Sequence, residues 1–217
     1  LADLVPAAPI DPADAWAELQ AAVDDLRDSD YQAVCRRMME QYGERFRTIP
    51  AAKSMHHSFL HGLLMHTVNM VRCAQGLGDL YRDVVDEDLL IAGTLLHDFA
   101  KCEEFVTSSL GLVTDYSVNG QLLGHLVMGA RAAAEAAREL GVPEEKSVLL
   151  QHLLLSHHGE PEFGAAVRPM CAEAEMLNLI DLMDSRMEIY REAFEEVEPG
   201  QFTKRIFALD KKVYRHF

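Results

Sequence analysis

The stretch LLHDFAKCEEF, residues 95–105, sets His97 beside Asp98 at the end of an apolar helical run, with Lys101 one turn further on. Neighbours on a helix point about 100° apart, so the pair does not have the i, i+3 or i, i+4 spacing of a helical ion pair. A metal ion at the helix end could use both side chains. The same embedding recurs along the chain: His66 in GLLMHTVNM, His125 in QLLGHLVM, His157 and His158 in LLLSHHG, and Asp181 in NLIDLM. Each of these polar residues lies within the apolar stripe of its own helix. A single such histidine is ordinarily a core residue bonded to a neighbour. Five histidines and two aspartates on five successive helices reverse that reading. Unpaired polar side chains in one core would cost about 1–3 kcal/mol each, and divalent cations would satisfy them together.

The ligand mix narrows the metal. Imidazoles and carboxylates without thiolates suit Mn, Fe, Co, Ni or Zn better than Mg or Ca, which prefer all-oxygen shells. No HExxH occurs, which argues against a zincin-type protease. His57 and His61 have i, i+4 spacing but no Glu between them, and read as surface or supporting histidines.

The elements that must carry these residues are helices. Residues 1–12, LADLVPAAPIDP, read as a linker, and 13–217 as one domain. Asp11 caps a helix over about 13–28 with Pro12 at its first position. Ser29 or Asp30 caps a second helix to about 45. A third, over about 60–76, carries His66 and is closed by Gly76 and Gly78. Asp86 caps the helix that ends in His97 and Asp98. Residues 104–118 read as a small β-hairpin around a Ser/Gly turn. Asn119 caps a helix that Gly141 ends, Pro143 opens one running to LLSHHG, and a loop over 159–170 precedes a long amphipathic helix. The fold class is all-α, with six or more helices. Trp16, Leu19 and Val23 share one face of the first helix, which packs on its own domain or on a second subunit, making a homo-oligomer.

The 217 residues are 49% hydrophobic and 25% charged, as expected of a soluble globular domain with a substantial core. No apolar run reaches the roughly 18 residues a bilayer requires, and no signal peptide opens the chain. Four isolated cysteines without CxxC spacing point to a reduced, cytoplasmic protein. The chain opens on Leu1 rather than Met, which points to an upstream segment. The net charge of −15 argues against a stand-alone nucleic-acid grip. The charge is uneven: residues 1–34 carry −7, whereas QFTKRIFALDKKVYRHF, residues 201–217, carries +4. That tail is either a phosphate-facing rim or a solvated terminus.

The order H…HD…H…HH…D resembles the HD-domain metal-dependent phosphohydrolase superfamily. Within it, PAAKSMHHSFLHGLLMHT (50–67), LLHDFAK (95–101), GQLLGH (120–125), LLLSHHGEPEFGAAVRPMCAEAEMLNLIDLMDSRM (153–187) and FTKRIFALDKKVY look most like the YhaM-type 3′–5′ exoribonucleases. These stretches cover most of residues 13–214. Members usually carry an N-terminal OB-fold, absent here, and LADLVPAAP is similar to the linker after it. His61 stands where the family usually has a glycine, and Met65 where it often has Glu. Neither removes a pattern ligand. An acid near the first motif histidine holds a third metal in some relatives, so its absence favours two.

The resemblance implies a binuclear centre, with one metal held by His66, His97, Asp98 and Asp181 and the other by Asp98, His125, His157 and His158. Asp98 would bridge ions about 3.5–4 Å apart, activating a water as in-line nucleophile at phosphorus. Lys101 faces the same site and could steady the phosphate or the leaving oxygen; its alternative role is to complement a helix C-terminus. Either histidine of SHHG alone could be the ligand, with the other donating to a phosphate. Asp184 reads as a carboxylate behind the ligands or a partner of Arg186. Tyr116 and Phe105 are candidates for stacking on a base, or pack against the domain, and Arg168 is a candidate phosphate contact. The expected activity is metal-dependent 3′–5′ exonucleolysis of RNA or single-stranded nucleic acid, with manganese favoured. The alternatives are a phosphohydrolase of small or signalling nucleotides and a non-catalytic partner-binding module.

Overall fold

A computed structural model describes residues 6–53 and 59–217. Its helices are α1 (Pro12–Asp24), α2 (Ser29–Phe46), α3 (Gly62–Leu80), α4 (Glu87–Leu96), α5 (Lys101–Glu104), α6 (Val118–Glu139), α7 (Glu144–Ser156) and α8 (Ala172–Glu195). Two short antiparallel pairs complete the fold: β1 (Phe105–Thr107) with β2 (Val113–Tyr116), and β3 (Gln201–Phe202) with β4 (Tyr214–Arg215). The chain is all-α apart from these pairs, with the hairpin at 105–116 where the Ser/Gly turn places it. Among the described residues no helix is long and apolar enough to cross a membrane.

The bundle is organised around α4. Every residue from Asp88 to Leu96 is buried, as expected of a helix apolar on all sides. Asp86 caps it, accepting from the N–H groups of Asp88 and Leu89. Buried Asp88 accepts from the backbone N–H groups of Arg27 and Asp28 at 2.9 and 2.6 Å, tying the α1–α2 connection to the start of α4. Glu173, at the start of α8, accepts from Asp86 N at 2.6 Å. At its other end α4 approaches α7 closely. A Cβ on Gly93 would lie 2.3 Å from Leu153 Cδ2, so only glycine admits this spacing without repacking. Phe99 stacks on Phe46 at 4.2 Å and floors the turn after α4. The face of α1 holding Leu19 and Val23 is buried in this core, and Trp16 lies 6.1 Å from Phe46. It packs on its own domain.

Several boundaries differ from the sequence reading. Asp28, rather than Ser29 or Asp30, caps α2, accepting from Asp30 N and Tyr31 N. Ser117, rather than Asn119, caps α6; both shifts put the acceptor one or two residues earlier. Gly76 and Gly78 do not end α3, which continues to Leu80. A helical glycine costs only about 1 kcal/mol, and tertiary packing overrides that: Gly78 lies against Glu87. Residues 6–8 do not hang free, because Leu60 donates to Pro6 O and Ala8 donates to Leu60 O. His61, the departure from the family's glycine, has φ 62° at the start of α3. This left-handed conformation favours glycine, the residue that the resemblance would put there.

Candidate metal centre

Five helices deliver their polar residues to one point. His66 projects from α3. His97 follows the last residue of α4, and Asp98 lies in the turn behind it. His157 follows the last residue of α7, with His158 beside it. Asp181 lies on α8. His125 arrives by a kink: Gly124 has φ 72° and ψ 160° inside α6, a conformation only glycine adopts readily.

Asp98 is the hub. Its Oδ2 lies 3.2 Å from His97 Nε2, 4.0 Å from His66 Nε2 and 2.8 Å from Lys101 Nζ. Its Oδ1 lies 3.3 Å from His125 Nε2 and 3.7 Å from His157 Nε2. Asp181 Oδ1 lies 3.3 Å from His66 Nε2. Neighbouring imidazoles are close, with His97–His157 centroids 5.0 Å apart and His157–His158 centroids 4.5 Å apart.

The outward nitrogens explain the orientation of the rings. His97 Nδ1 donates to Thr94 O at 2.7 Å, His157 Nδ1 to Leu154 O at 2.8 Å and His158 Nδ1 to Phe163 O at 3.1 Å. A carbonyl can only accept, so Nδ1 carries a proton and Nε2 is the nitrogen turned toward the cluster. His125 Nδ1 faces Glu104 Oε1 at 3.0 Å and His66 Nδ1 faces Asp184 Oδ2 at 2.7 Å. Carboxylates or carbonyls behind imidazoles in this way fix and strengthen metal ligands. Among the described residues, the Nε2 atoms of His97, His125 and His157 and Oδ1 of Asp98 are buried without a hydrogen-bond partner. Such atoms are costly unless something else meets them. Ligand atoms lie within 4.8 Å of one another in three groups: His66, His97 and Asp98; His125, His157 and His158; and His97, His157 and Asp181. The donor set fits divalent cations.

The electrostatics agree with that chemistry. Burial, and then the neighbouring His97, hold His157 well below the usual histidine range. Burial and His125 lower His158 likewise. Both are therefore neutral donors. Burial disfavours the Asp98 carboxylate, but His97 and Lys101 outweigh it and hold Asp98 well below the usual range. Burial also opposes the charged form of His66, yet Asp181 and Asp184 raise it to about 9. Lys101 is raised because Asp98 outweighs its burial. It lies in the single turn of α5, with Nζ turned to Asp98 Oδ2 at 2.8 Å and to Ala51 O at 3.0 Å.

A cleft of about 360 Å³ opens on the cluster, lined by His66, Asp98, Lys101, His157, His158 and Asp181 together with Phe163, Asn178, Leu182 and Ser185. A larger groove of about 600 Å³ between α1 and α2 shares no residue with it. Tyr116 and Arg168 do not line the cleft. Tyr116 packs edge-on against Phe105 at 5.5 Å, and Arg168 Nε is held by Glu160 at 2.6 Å. Phe105 is buried and offers no face to a base. Asp184 partners His66 rather than Arg186. His61 Nδ1 turns to Arg47 O at 2.6 Å, outside the cluster, and His57 lies outside the described residues. The sequence reading missed Glu104 and also Asn178, whose Nδ2 donates to His157 O at 2.7 Å. Asn178 sits in MLNLID, so the criterion that singled out Asp181 applies equally to it. Glu104 carried no such signal.

Residues 63–186 match the HD domain family. The chain belongs to the HD domain family. Curated relatives of this HD domain chain include proteins named 3′-5′ exoribonuclease YhaM. That of Bacillus pumilus (strain SAFR-032) is 40% identical over 212 residues, 98% of this chain and 66% of its own length. That of Shouchella clausii (strain KSM-K16) is 38% identical over 214 residues, 99% of this chain and 66% of its own. That of Bacillus subtilis (strain 168) is 37% identical over 212 residues, with 98% and 66% covered. The chain thus spans a little under two thirds of these relatives' length. No solved structure matches.

Proposed function

We propose that this chain is a metal-dependent 3′–5′ exonuclease acting on RNA. The observation that carries the chemistry is the set of buried, unpartnered Nε2 and Oδ1 atoms of His97, His125, His157 and Asp98 converging at one point. The relatives named 3′-5′ exoribonuclease supply the substrate. One cation would be held by His66, His97, Asp98 and Asp181, and the other by Asp98, His125, His157 and His158. Imidazole–carboxylate donors favour Mn, Fe, Co, Ni or Zn, with manganese the choice for assay. Bound there, such ions supply Lewis-acid charge at a phosphoryl oxygen and a nucleophile at neutral pH.

The chain's own residues do the rest. Thr94 O, Leu154 O, Glu104 and Asp184 hold four imidazoles with Nε2 inward, so the rings need not turn when a cation binds, and His66, raised to about 9, would give up its proton. Asp98 stays anionic at the hub. Lys101, its ammonium at the cleft and anchored to Ala51 O at 3.0 Å, places a fixed positive charge for a phosphate or leaving oxygen. Phe163 and Leu182 give the cleft apolar walls where a terminal nucleotide would sit.

Purified chain supplied with Mn²⁺ and a 5′-labelled RNA should shorten it stepwise from the 3′ end and release mononucleotides. Metal analysis should find about two ions per chain. No release with any of these cations rejects the reading. A second reading, hydrolysis of a free nucleotide, is favoured by the nucleotide-sized cleft in an acidic chain. Turnover of mononucleotides or cyclic dinucleotides, with RNA left intact, selects it.

A further inference from the structure

We propose that the C-terminal hairpin, residues 200–217, is a binding platform for single-stranded RNA outside the cleft. This rests on the exonuclease reading and names where the strand is held. The segment carries +4 in a chain of −15, and the structure makes it a built element rather than a loose tail. Arg215 Nη1 donates to Phe194 O and Val197 O, both at 2.7 Å, fastening β4 to the end of α8. Thr203 and Val213 exchange bonds across the pair, Ile206 donates to Lys211 O, and Thr203, Leu209 and Val213 are buried.

On this fixed base the aromatic rings face outward. Phe207 is 98% exposed, Phe217 75%, Phe202 65% and Tyr214 47%. Phe202 and Tyr214 lie side by side with centroids 5.0 Å apart. Exposed large apolar groups gathered on one short hairpin call for an occupant. Its chemistry is given by the basic residues that alternate with these rings along the sequence. Exposed Lys204 and Lys212 have no carboxylate within ion-pair reach among the described residues, whereas Arg205 pairs with Asp210 and Lys211 covers Tyr190. Rings interleaved with uncompensated ammonium groups suit bases stacked along a phosphate backbone. A purely apolar protein partner would leave those charges unmatched.

The placement is consistent with a strand whose 3′ end occupies the cleft. Tyr190, under Lys211, lies nine residues beyond Asp181 on α8, about 13 Å along the helix axis. The platform would take nucleotides on the 5′ side, adding positive charge outside the cleft to that of Lys101 within it.

The test separates binding from chemistry. With metal chelated, the affinity of a fluorescein-labelled oligouridylate of about twelve nucleotides, within the span of single-strand sites, is measured by anisotropy. The variants are Lys204→Glu with Lys212→Glu, and Phe202→Ala with Phe207→Ala. Each pair should weaken binding at least about fivefold. The lysine pair should also reduce the slope of log K against log salt by about 1.4. Arg82→Glu with Arg131→Glu, the same charge change elsewhere, should have less than half that effect. With Mn²⁺, both hairpin variants should cleave a dinucleotide as the parent does, while KM for the long oligomer rises and kcat holds. Parental affinity in both hairpin pairs overturns the proposal, even if the variants change sedimentation and so mark a contact between copies. Failure of the parent to cleave either substrate is a separate result, directed at the exonuclease reading.

Discussion

Glu104 Oε1 accepts two hydrogen bonds from His125, one from its backbone N–H at 2.9 Å and one from its ring Nδ1 at 3.0 Å. The first exists because Gly124 breaks the helix and frees that N–H; the second turns Nε2 toward Asp98. One carboxylate therefore sets both the chain path and the tautomer of a candidate ligand. Replacing Glu104 with Ala should weaken cation binding by about 10–100-fold, read by competition with a chromophoric chelator. It should also lower stability by about 1–3 kcal/mol through the unpaired buried N–H. Glu104→Gln, which keeps one acceptor, should fall between. Equal cation affinity in parent and Ala variant would refute a role for this bond in metal binding.

His66 gives the metal-free protein a defined pH dependence. Its ordinary value of 6.5 is raised to about 9 in the fold. A raised base stabilises the fold fully below its unfolded value and loses that contribution as pH rises through the folded value. The raised value corresponds to about 3 kcal/mol. His157, shifted downward, penalises folding only below about 6.5 and does not mask this window. Urea unfolding of EDTA-treated protein should therefore show stability declining from pH 6.5 to 9, and His66→Gln should flatten that decline. A flat parental profile would mean that Asp181 and Asp184 do not hold a proton on His66.

The helices and the seven polar residues of the cluster were legible because each sits in an apolar run at helical spacing, where a charge is conspicuous. Asp11 and Asp86 were legible as caps for the same local reason. Glu104 was not. It lies in CEEF, at the junction of a four-residue helix and a strand, and only the folded chain brings it to His125, 21 residues away. Asp28 and Ser117 were displaced from the expected caps because several acceptors compete within two or three residues. The fixed C-terminal hairpin was invisible for another reason: its strands are two residues long and are held by Arg215 on backbone carbonyls, which no periodicity encodes.

Asp98 and Lys101, 2.8 Å apart, should separate by phenotype. Asp98 touches four imidazoles, so Asp98→Asn should abolish cation retention and activity together. Lys101 touches the cleft, but its ammonium has no lone pair to offer a cation. Lys101→Met should therefore keep the metal content of the parent while kcat falls by about 10²–10³, the usual effect of removing one preorganised charge. Metal analysis beside single-turnover rates distinguishes the two. An unchanged kcat in Lys101→Met removes Lys101 from the chemistry.

The cluster depends on the spacing of α4 and α7, since His97 and Asp98 follow one and His157 and His158 follow the other. Gly93 sets that spacing. A Cβ there would meet Leu153 Cδ2 at 2.3 Å and Leu153 Cβ at 3.1 Å, and in a buried core the side chain has little room to yield. Gly93→Ala should cost about 1–3 kcal/mol, or several degrees in Tm for a domain of this size. Cation affinity should fall with it, because the two pairs of ligands are pushed apart. Gly76 provides the control: nothing lies within 4 Å of its Cβ position, so Gly76→Ala should stabilise the helix by up to about 1 kcal/mol and leave cation binding unchanged. If Gly93→Ala bound cations as tightly as the parent, the α4–α7 contact would be structural only, and the ligand geometry would have to be set by α3 and α8.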